Sequence, residues 1–224
     1  MNQEIIHVYF MPGMAASPKI FENIKLPENK FKMHFLEWLI PEKNESLQDY
    51  ALRLTKCIKH DNPVLIGVSF GGVLVQEMAK HIKVFKLIVI SSVCSKHQLP
   101  KRMRIARKTK AYVIVPTSMV NKIDVFAKYA FGENVKKRLE LYKKYLSVND
   151  KHYLDWAIKE MVCWNQEKKI PNTIHIHGDQ DMVFPHNYIQ NCVTIEGGTH
   201  IMILNKYRWF NKNLPELILN GQPE

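Results

Sequence analysis

Short apolar runs alternate with helical apolar patterns over the first 90 or so residues of the chain. Runs rich in β-branched, aromatic and aliphatic residues predict buried strands at Glu4–Met11, Phe31–Leu39, Val64–Ile66 and Phe85–Ser92. Apolar residues recur at helical spacing over Leu47–Ile58, behind Ser46 as a predicted N-cap, and over Val73–Ile82. Strands that alternate with helices predict a parallel sheet covered by helices on both faces.

The alternation stops between residues 95 and 169, where the pattern is helical. Helices are predicted at about 101–113, 117–131, 134–147 and 150–165. Ordinary helix packing explains their apolar stripes, but a helical block between two sheet strands is also the natural place for a lid over a pocket. We therefore predict a single domain over residues 1–224, with residues 95–169 as an inserted helical cap.

The strand pattern returns after this helical block. Thr173–His177 and Cys192–Glu196 are predicted strands, and a closing helix is predicted at about 201–211. Together with the earlier strands they indicate a minimal parallel sheet of about six strands. We find no internal repeat and no linker, so the fold class is α/β.

Composition sets the broad class of the protein. Apolar residues make up 46% of the 224 residues, which is ordinary for a globular protein. No apolar run approaches the roughly 20 residues of a membrane span. The first residues lack a basic region, so we expect a cytoplasmic protein without a secretory signal. The cysteines are widely spaced without a C-x-x-C pair, which predicts buried, reduced thiols at Cys57, Cys94, Cys163 and Cys192.

The formal net charge of +11 is the unusual bulk property. Much of it comes from the predicted helical block: Lys101, Arg102, Arg104, Arg107, Lys108, Lys110, Lys136, Lys137, Arg138, Lys143 and Lys144. Solvated helix faces explain such charges. A docking surface for an acidic carrier protein, nucleic acid or an anionic membrane is the alternative, and the charges alone do not separate these. We retain the carrier protein as a possible partner and expect no nucleic acid.

A G-x-S-x-G sequence joins the third predicted strand to the next helix. It reads Gly67-Val68-Ser69-Phe70-Gly71. A sharp strand-to-helix turn forces its central residue into a strained backbone, and the flanking glycines avoid collisions there. Ser69 is then exposed beside a helix N-terminus, where negative charge is favoured. The same pentapeptide can also form an ordinary strand–helix turn without a catalytic role. A catalytic interpretation therefore requires a base, an acid and an oxyanion donor elsewhere in the chain.

Chemistry-capable loops follow three other predicted strands. They carry Pro12-Gly13-Met14, Asp181 and His200. In a parallel sheet, groups just beyond the carboxyl ends of strands converge on one rim. The order of serine, acid and histidine is that of α/β-hydrolases. The chain resembles this superfamily over nearly its whole length: in G-x-S-x-G, in H-G-D-Q-D-M-V-F-P at 177–185 and in G-G-T-H at 197–200.

The resemblance implies a three-layer α/β-hydrolase fold, as a small serine esterase-like member with a helical lid. It implies Ser69 as nucleophile, His200 as general base and Asp181 as the acid that orients the histidine. Asp179 is the competitor for the acid role, and its alternative is to close the turn with its own backbone. The expected activity is cleavage of small acyl or other carboxylic esters through an acyl-enzyme, without cofactor or metal.

The resemblance also implies an oxyanion hole made by the backbone N–H groups of Met14 and Phe70. The chain departs from the superfamily pattern here, because Pro12-Gly13 stands where H-G is usual. Two alternative functions stay open. One is a thioesterase or methyl-esterase acting on acyl groups carried by an acidic carrier protein or CoA. The other is a non-catalytic binding module on the same fold.

Two rival motifs concern the same loops. His175-x-His177-x-Asp179 resembles the start of a metallo-hydrolase zinc motif, but Gln180 stands where that motif needs another histidine. We therefore interpret both histidines as strand residues. Gly71-Gly72 lacks the further residues of a phosphate-binding loop, so a nucleotide site is not expected.

Overall fold

The computed structural model describes residues 5–114, 144–146 and 148–221. The strands are β1 Ile6–Met11, β2 Phe31–Phe35, β3 Val64–Val68, β4 Lys86–Ile90, β5 Ile174–Gly178 and β6 Val193–Ile195. The α-helices are α1 Leu47–Thr55, α2 Phe70–Met78, α3 Lys101–Thr109, α4 Lys151–Cys163, α5 Met202–Asn205 and α6 Tyr207–Asn220. Short 3₁₀ helices occur at Pro18–Phe21, Lys96–Gln98, Ala111–Ile114 and His186–Tyr188.

The six strands form one parallel sheet in the order β2-β1-β3-β4-β5-β6. The predicted parallel sheet of about six strands is therefore confirmed. The chain leaves β1 towards β2 on one side and later returns to place β3 on the other side. The strand order thus reverses between β1 and β3. In open α/β sheets, ligands bind outside the carboxyl ends of the strands at such a point.

Two apolar layers lie on opposite faces of the sheet. Alternation along β1 sends Tyr9 and Met11 to one layer and Val8 and Phe10 to the other. The first layer contains the buried faces of α1, α2 and α4. The second contains those of α5 and α6 together with the first 3₁₀ helix. Helices on both faces of a parallel sheet make the predicted three-layer α/β architecture.

The second strand is shorter than predicted. β2 ends at Phe35, although the apolar pattern continues to Leu39. The Leu36 N–H still donates to the Phe10 carbonyl, after which the chain turns away from the sheet. It does so to bury Trp38, whose indole N–H donates to the Gly13 carbonyl at 2.8 Å. Beyond Phe35 this segment is therefore held by tertiary contacts and not by strand pairing.

The closing helix is longer than predicted. It starts at Met202, is interrupted at Lys206 and continues to Asn220 through Pro215. An apolar stripe of Phe210, Leu214, Leu217 and Ile218 packs against the sheet along its whole length. Burial of that stripe outweighs the loss of one backbone hydrogen bond at the proline.

Only part of the predicted helical block belongs to the described residues. The helix predicted at 101–113 is α3 followed by a 3₁₀ turn, because Lys110 adopts a left-handed conformation that ends α3. The helix predicted at 150–165 is α4, capped by the Asp150 side chain. The helices predicted at 117–131 and 134–147 lie outside the described residues, apart from 144–146. A cap over 95–169 remains a prediction.

The prediction of four buried thiols is wrong. Cys94 is buried, Cys57 is exposed, and Cys163 and Cys192 are partly exposed; all four are free. Cys57 lies just beyond the end of α1, which stops at Thr55. Burial raises the pKa of the Cys94 thiol to about 12. No helix within the described residues is long and apolar enough to cross a membrane.

Candidate active site

Ser69 occupies the sharp turn between β3 and α2. Its backbone angles are φ 54° and ψ −123°, which a residue with a side chain rarely adopts. Two hydrogen bonds hold it there: its N–H donates to the Ile90 carbonyl at 2.9 Å, and the Ser92 hydroxyl donates to its carbonyl at 2.6 Å. The end of the neighbouring strand β4 therefore fixes the strained residue.

Gly67 and Gly71 leave no room for side chains around Ser69. A Cβ atom on Gly67 would lie 2.3 Å from the Gly71 carbonyl oxygen, and one on Gly71 would lie 2.2 Å from the Pro12 oxygen. Both contacts are with backbone atoms, which cannot move aside without distorting the turn. The two glycines of the G-x-S-x-G sequence are thus a steric requirement of this turn.

The structure brings Ser69, His200 and Asp181 into one hydrogen-bonded chain. Nε2 of His200 lies 2.9 Å from Oγ of Ser69, and Nδ1 of His200 lies 2.9 Å from Oδ2 of Asp181. The Asp181 side chain is fully buried, whereas the His200 side chain is 12% exposed. An ionised carboxylate only accepts hydrogen bonds, so Nδ1 of His200 carries a proton. The lone pair of Nε2 then faces the serine hydroxyl.

The carboxylate of Asp181 is held ionised by its surroundings. Burial by itself raises the pKa of this carboxyl, but the charge and hydrogen bond of His200, with His177 and the Phe184 N–H, lower it below its ordinary value. Its Oδ1 accepts the N–H groups of Val183 and Phe184 at 2.8 and 2.9 Å. These bonds fix the rotamer that points Oδ2 at His200.

Asp179, the other candidate acid, makes no contact with His200 in the described structure. Its backbone N–H donates to the Ile195 carbonyl at 3.3 Å, and its Oδ1 has no partner among the described residues. The geometry therefore places Asp181, and not Asp179, beside the imidazole.

Backbone contact joins the loop that carries Asp181 (residues 177–185, the acid loop) to the loop that carries His200 (residues 197–200, the histidine loop). The Gln180 N–H donates to the Gly198 carbonyl at 2.9 Å. A Cβ atom on Gly178 would lie 2.1 Å from that same carbonyl oxygen. Gly178 and Gly198 thus allow two loops 20 residues apart to touch, which brings Asp181 and His200 together. The sequence analysis found Gly178 in the H-G pair and Gly198 in the G-G pair, but it did not predict that the two glycines touch.

The loop after β1 passes next to Ser69. A Cβ atom on Gly13 would lie 3.4 Å from Cβ of Ser69. Within the described residues, neither the N–H of Met14 nor that of Phe70 donates to a protein acceptor. Phe70 is the first residue of α2, so its N–H belongs to the positive end of the helix. Two free donors therefore flank the serine.

Two buried aromatic side chains anchor this loop on either side of Met14. The Trp38 indole N–H donates to the Gly13 carbonyl, and the hydroxyl of Tyr153 accepts the Ala15 N–H at 3.1 Å. The Trp38 ring also stacks on Phe70, with centroids 5.2 Å apart. Sequence reasoning missed Trp38 and Tyr153, since an apolar pattern marks them as buried without naming their distant partners.

The strand histidines of the rival zinc motif are buried behind the acid loop. Nε2 of His175 lies 3.0 Å from the Ser92 carbonyl oxygen, and Nε2 of His177 lies 2.8 Å from that of Phe184. Burial lowers the pKa of both, that of His175 to about 3. Among residues 5–114, 144–146 and 148–221, neither belongs to a group of three metal-ligating side chains.

Comparison with known proteins identifies the fold. No protein-family model and no curated protein matches the sequence. Solved structures do match: a thermophilic esterase from Thermogutta terrifontis has a TM-score of 0.69 at 12% identity, covering 99% of this chain and 92% of that chain. A bromoperoxidase from Bacillus anthracis has a TM-score of 0.69 at 18% identity, covering 97% and 93%.

A third match is to epoxide hydrolases of the α/β-hydrolase superfamily from hot-environment metagenomes, with a TM-score of 0.67 at 11% identity over 98% of this chain and 92% of that chain. Proteins named for different reactions share this architecture, so the architecture does not select the reaction. With its parallel sheet, its Ser69 turn and these structural matches, the chain has the α/β-hydrolase fold.

Proposed function

We propose that this protein is a serine hydrolase that cleaves carboxylic esters through an acyl-enzyme. The observation that carries the proposal is the continuous chain from Oγ of Ser69 through His200 to Asp181, with both links at 2.9 Å. A serine hydroxyl is a weak nucleophile at neutral pH unless a base is in hydrogen-bond reach. The imidazole of His200 supplies that base, and the buried carboxylate orients it.

The positions of the protons in the hydrogen bonds from Ser69 through His200 to Asp181 determine the order of steps in the proposed reaction. As Oγ of Ser69 attacks the ester carbonyl carbon, its proton passes to Nε2 of His200. The Asp181 carboxylate stabilises the imidazolium, which then protonates the departing alkoxide. Water then attacks the acyl carbon of the acyl-serine and gives a proton to Nε2 of His200. His200 returns that proton to Oγ of Ser69 as the acyl–Oγ bond breaks, which releases the carboxylic acid and free Ser69.

The free N–H groups of Met14 and Phe70 serve as the oxyanion hole. Negative charge develops on the carbonyl oxygen as Ser69 attacks, and both donors lie beside the serine without another partner in the described structure. Loss of one such donor typically costs about 100- to 1000-fold in kcat. Trp38 and Tyr153 hold the loop that presents the Met14 donor, so they act as positioning residues.

The surroundings of Ser69 favour an ester with an apolar acyl group. Phe70 is buried and Met14 is half-buried, and both pack in the apolar layer that contains α2 and α4. A series of p-nitrophenyl esters of increasing chain length, with kcat/KM for each, maps the preferred acyl group. A fall in kcat/KM from the shortest ester onwards would contradict an apolar acyl site.

Covalent labelling tests the proposed nucleophile. A fluorophosphonate probe is expected to modify the wild-type protein once, on Ser69, and peptide mass spectrometry locates the adduct. Ser69→Ala should abolish labelling, and His200→Ala should slow it by at least about 1000-fold. Ser95→Ala is the matched control and should label normally, because Ser95 precedes the 3₁₀ helix Lys96–Gln98 and its side chain makes no capping hydrogen bond there.

Two outcomes would overturn the proposal. A well-folded wild-type protein that forms no adduct would favour the non-catalytic binding module. Undiminished labelling in Ser69→Ala would place the reactive group elsewhere. Circular dichroism on each variant shows that lost labelling does not come from unfolding.

The second candidate keeps the chemistry but changes the carrier of the acyl group: a thioesterase or methyl-esterase whose substrate rides on an acidic carrier protein. The observation that favours it is the position of the basic helix α3. The Arg102 guanidinium donates to the carbonyls of Met182 and Val183, so α3 borders the acid loop. Lys101, Arg104 and Lys108 on the same helix are exposed.

Salt separates the two candidates. Turnover of a carrier-bound acyl substrate should fall steeply between 50 and 300 mM NaCl, on the order of tenfold, while turnover of a small p-nitrophenyl ester stays level. The double variant Lys101→Glu/Lys108→Glu should show the same selective loss. Lys212→Glu on α6 is the control. A flat salt response with the carrier-bound substrate would remove this candidate.

A further inference from the structure

We propose that His7, His34 and His60 form a binding site for a divalent transition-metal ion such as Zn²⁺, separate from the candidate active site. One ring nitrogen from each histidine lies within 4.8 Å of those of the other two. Nδ1 of His7 and Nε2 of His34 are 2.9 Å apart. This is the one group of three metal-ligating side chains that the described residues contain.

The three histidines come from three separate segments of the fold. His7 lies near the start of β1, His34 lies in the edge strand β2, and His60 lies in the loop that leads into β3. All three are partly buried, so an ion can reach them while part of each ring is shielded from water. The set is assembled only when the sheet forms, because no two of its members are neighbours in the chain.

The nitrogens of His7 and His34 are already about as close together as in a metal-bound set. Nitrogen atoms at 2.0–2.1 Å from a tetrahedral ion lie about 3.3 Å from one another, and the His7–His34 separation is slightly less than this. The His60 ring stacks on His7 with centroids 3.4 Å apart. Binding of one ion therefore requires the stacked His7 and His60 rings to rotate out of their parallel arrangement.

Tyr9 holds two of the three rings. Its hydroxyl accepts the Lys59 N–H at 3.0 Å and lies 2.6 Å from Nδ1 of His60. Its ring stacks on His34, with centroids 4.5 Å apart. A hydrogen bond from Nδ1–H of His60 to this hydroxyl leaves Nε2 as the metal-binding atom. Such partners behind the ligands orient them and typically raise metal affinity 10- to 100-fold.

The donor set selects the class of ion. Three imidazoles without a carboxylate suit Zn²⁺, Cu²⁺, Ni²⁺ and Co²⁺, and do not suit Mg²⁺ or Ca²⁺, which prefer oxygen ligands.

This histidine site lies away from the proposed chemistry. His7 stands four residues before the end of β1, which is about 13 Å along the strand from the loop beside Ser69. An ion there links the edge strand β2 to β1 and to the segment before β3. The expected consequence is a more stable sheet edge, since an ion that binds only the folded state shifts the folding equilibrium.

Zinc titration of untagged, chelator-treated protein tests the site. Calorimetry with Zn²⁺ should show one equivalent bound, and the Tm should rise by roughly 5–10 °C at a free ion concentration a hundredfold above Kd. Co²⁺ should give the visible absorption bands of a nitrogen-ligated ion. Mg²⁺ at the same concentration should change neither the heat nor the Tm.

Matched variants assign the ligands. His34→Asn and His60→Gln should each weaken Zn²⁺ binding by roughly 100-fold or more, and Tyr9→Phe should weaken it by about tenfold while keeping the stacked ring. His186→Asn is the control, because Nε2 of His186 lies 3.9 Å from the Cys192 thiol and outside the proposed site; this variant should bind Zn²⁺ like the wild type.

The proposal is overturned if chelator-treated wild type binds no Zn²⁺, or if the wild-type affinity and Tm shift persist in His60→Gln. His60 lies in a loop, so this variant keeps the test valid if His34→Asn fails to fold. Loss of binding in His186→Asn instead would move the site to His186 and Cys192.

Discussion

At the scale of single residues, the candidate site depends on a strained serine and the glycines around it. The φ of 54° at Ser69 is unfavourable for a residue with a Cβ atom and costs on the order of 1–3 kcal/mol. Hydrogen bonds from the end of β4 and close backbone packing at Gly67 hold it in place. The strain projects the hydroxyl towards His200, so its structural cost serves the geometry of the site.

Gly67→Ala should therefore damage the turn. The new Cβ would lie 2.3 Å from the Gly71 carbonyl oxygen, and backbone must shift to relieve the clash. We expect a loss of at least about 2 kcal/mol in the free energy of unfolding, measured by urea denaturation. Gly13→Ala is the control: its Cβ would meet its nearest atom at 3.4 Å, so its cost should stay under about 1 kcal/mol. Equal losses in the two variants would refute this account of the turn.

At the scale of elements, α4 reaches across the sheet to the loop after β1. The Tyr153 hydroxyl accepts the Ala15 N–H, and desolvation raises the pKa of Tyr153 well above its ordinary value, so the phenol stays neutral. Tyr50 on α1 is a close counterpart: it is also fully buried, and its hydroxyl binds the backbone of Leu39. One tyrosine faces the proposed oxyanion hole and the other does not.

This pair gives a matched test of positioning. Tyr153→Phe and Tyr50→Phe should each lower the free energy of unfolding by about 1–2 kcal/mol, because each removes the hydrogen-bond partner of a backbone group. Only Tyr153→Phe should also lower kcat and the rate of fluorophosphonate labelling, by roughly tenfold with KM little changed. An equal loss of kcat in both variants would show that Tyr153 acts through stability alone.

At the scale of the whole molecule, the sheet buries ionisable groups that couple stability to pH. His175 lies inside β5 between the apolar layers; burial, followed by the charges of His177 and Lys169, lowers its pKa to about 3, against the raising effect of the Ser92 carbonyl and Asp181. Below pH 6.5 the unfolded chain takes up a proton at this position and the folded chain does not. The stability contribution of neutral His175 is thus complete above pH 6.5 and declines as the pH falls towards 3.

The free energy of unfolding should accordingly fall between pH 6 and pH 4.5, with about 1.4 kcal/mol per pH unit coming from His175. His175→Gln, whose amide can still donate to the Ser92 carbonyl, should reduce the slope by about that amount. His81→Gln, at an exposed position, should leave it unchanged. Urea denaturation across this range measures both, and an unaltered slope in His175→Gln would contradict the assignment.

Local patterns were enough to predict much of the fold. The strand at Val64–Val68, the turn at Ser69 and the N-cap at Ser46 each depend on residues a few positions apart. Periodicity and turn sterics act over that range, which is why they can be read directly from the chain. The same patterns erred at Leu39, Cys57 and Pro215. There burial against distant parts of the chain, or its absence, decided the outcome.

The amino-acid sequence by itself determined the alternation of strands and helices, the parallel sheet and the candidate catalytic residues at the strand ends. Only the tertiary structure placed Asp181, and not Asp179, beside His200, paired Trp38 and Tyr153 with the loop beside Ser69, and gathered His7, His34 and His60. The physical reason is range. Ser69 and His200 are separated by 131 residues, and a hydrogen bond between them forms only when the packed sheet brings both strand ends to one rim.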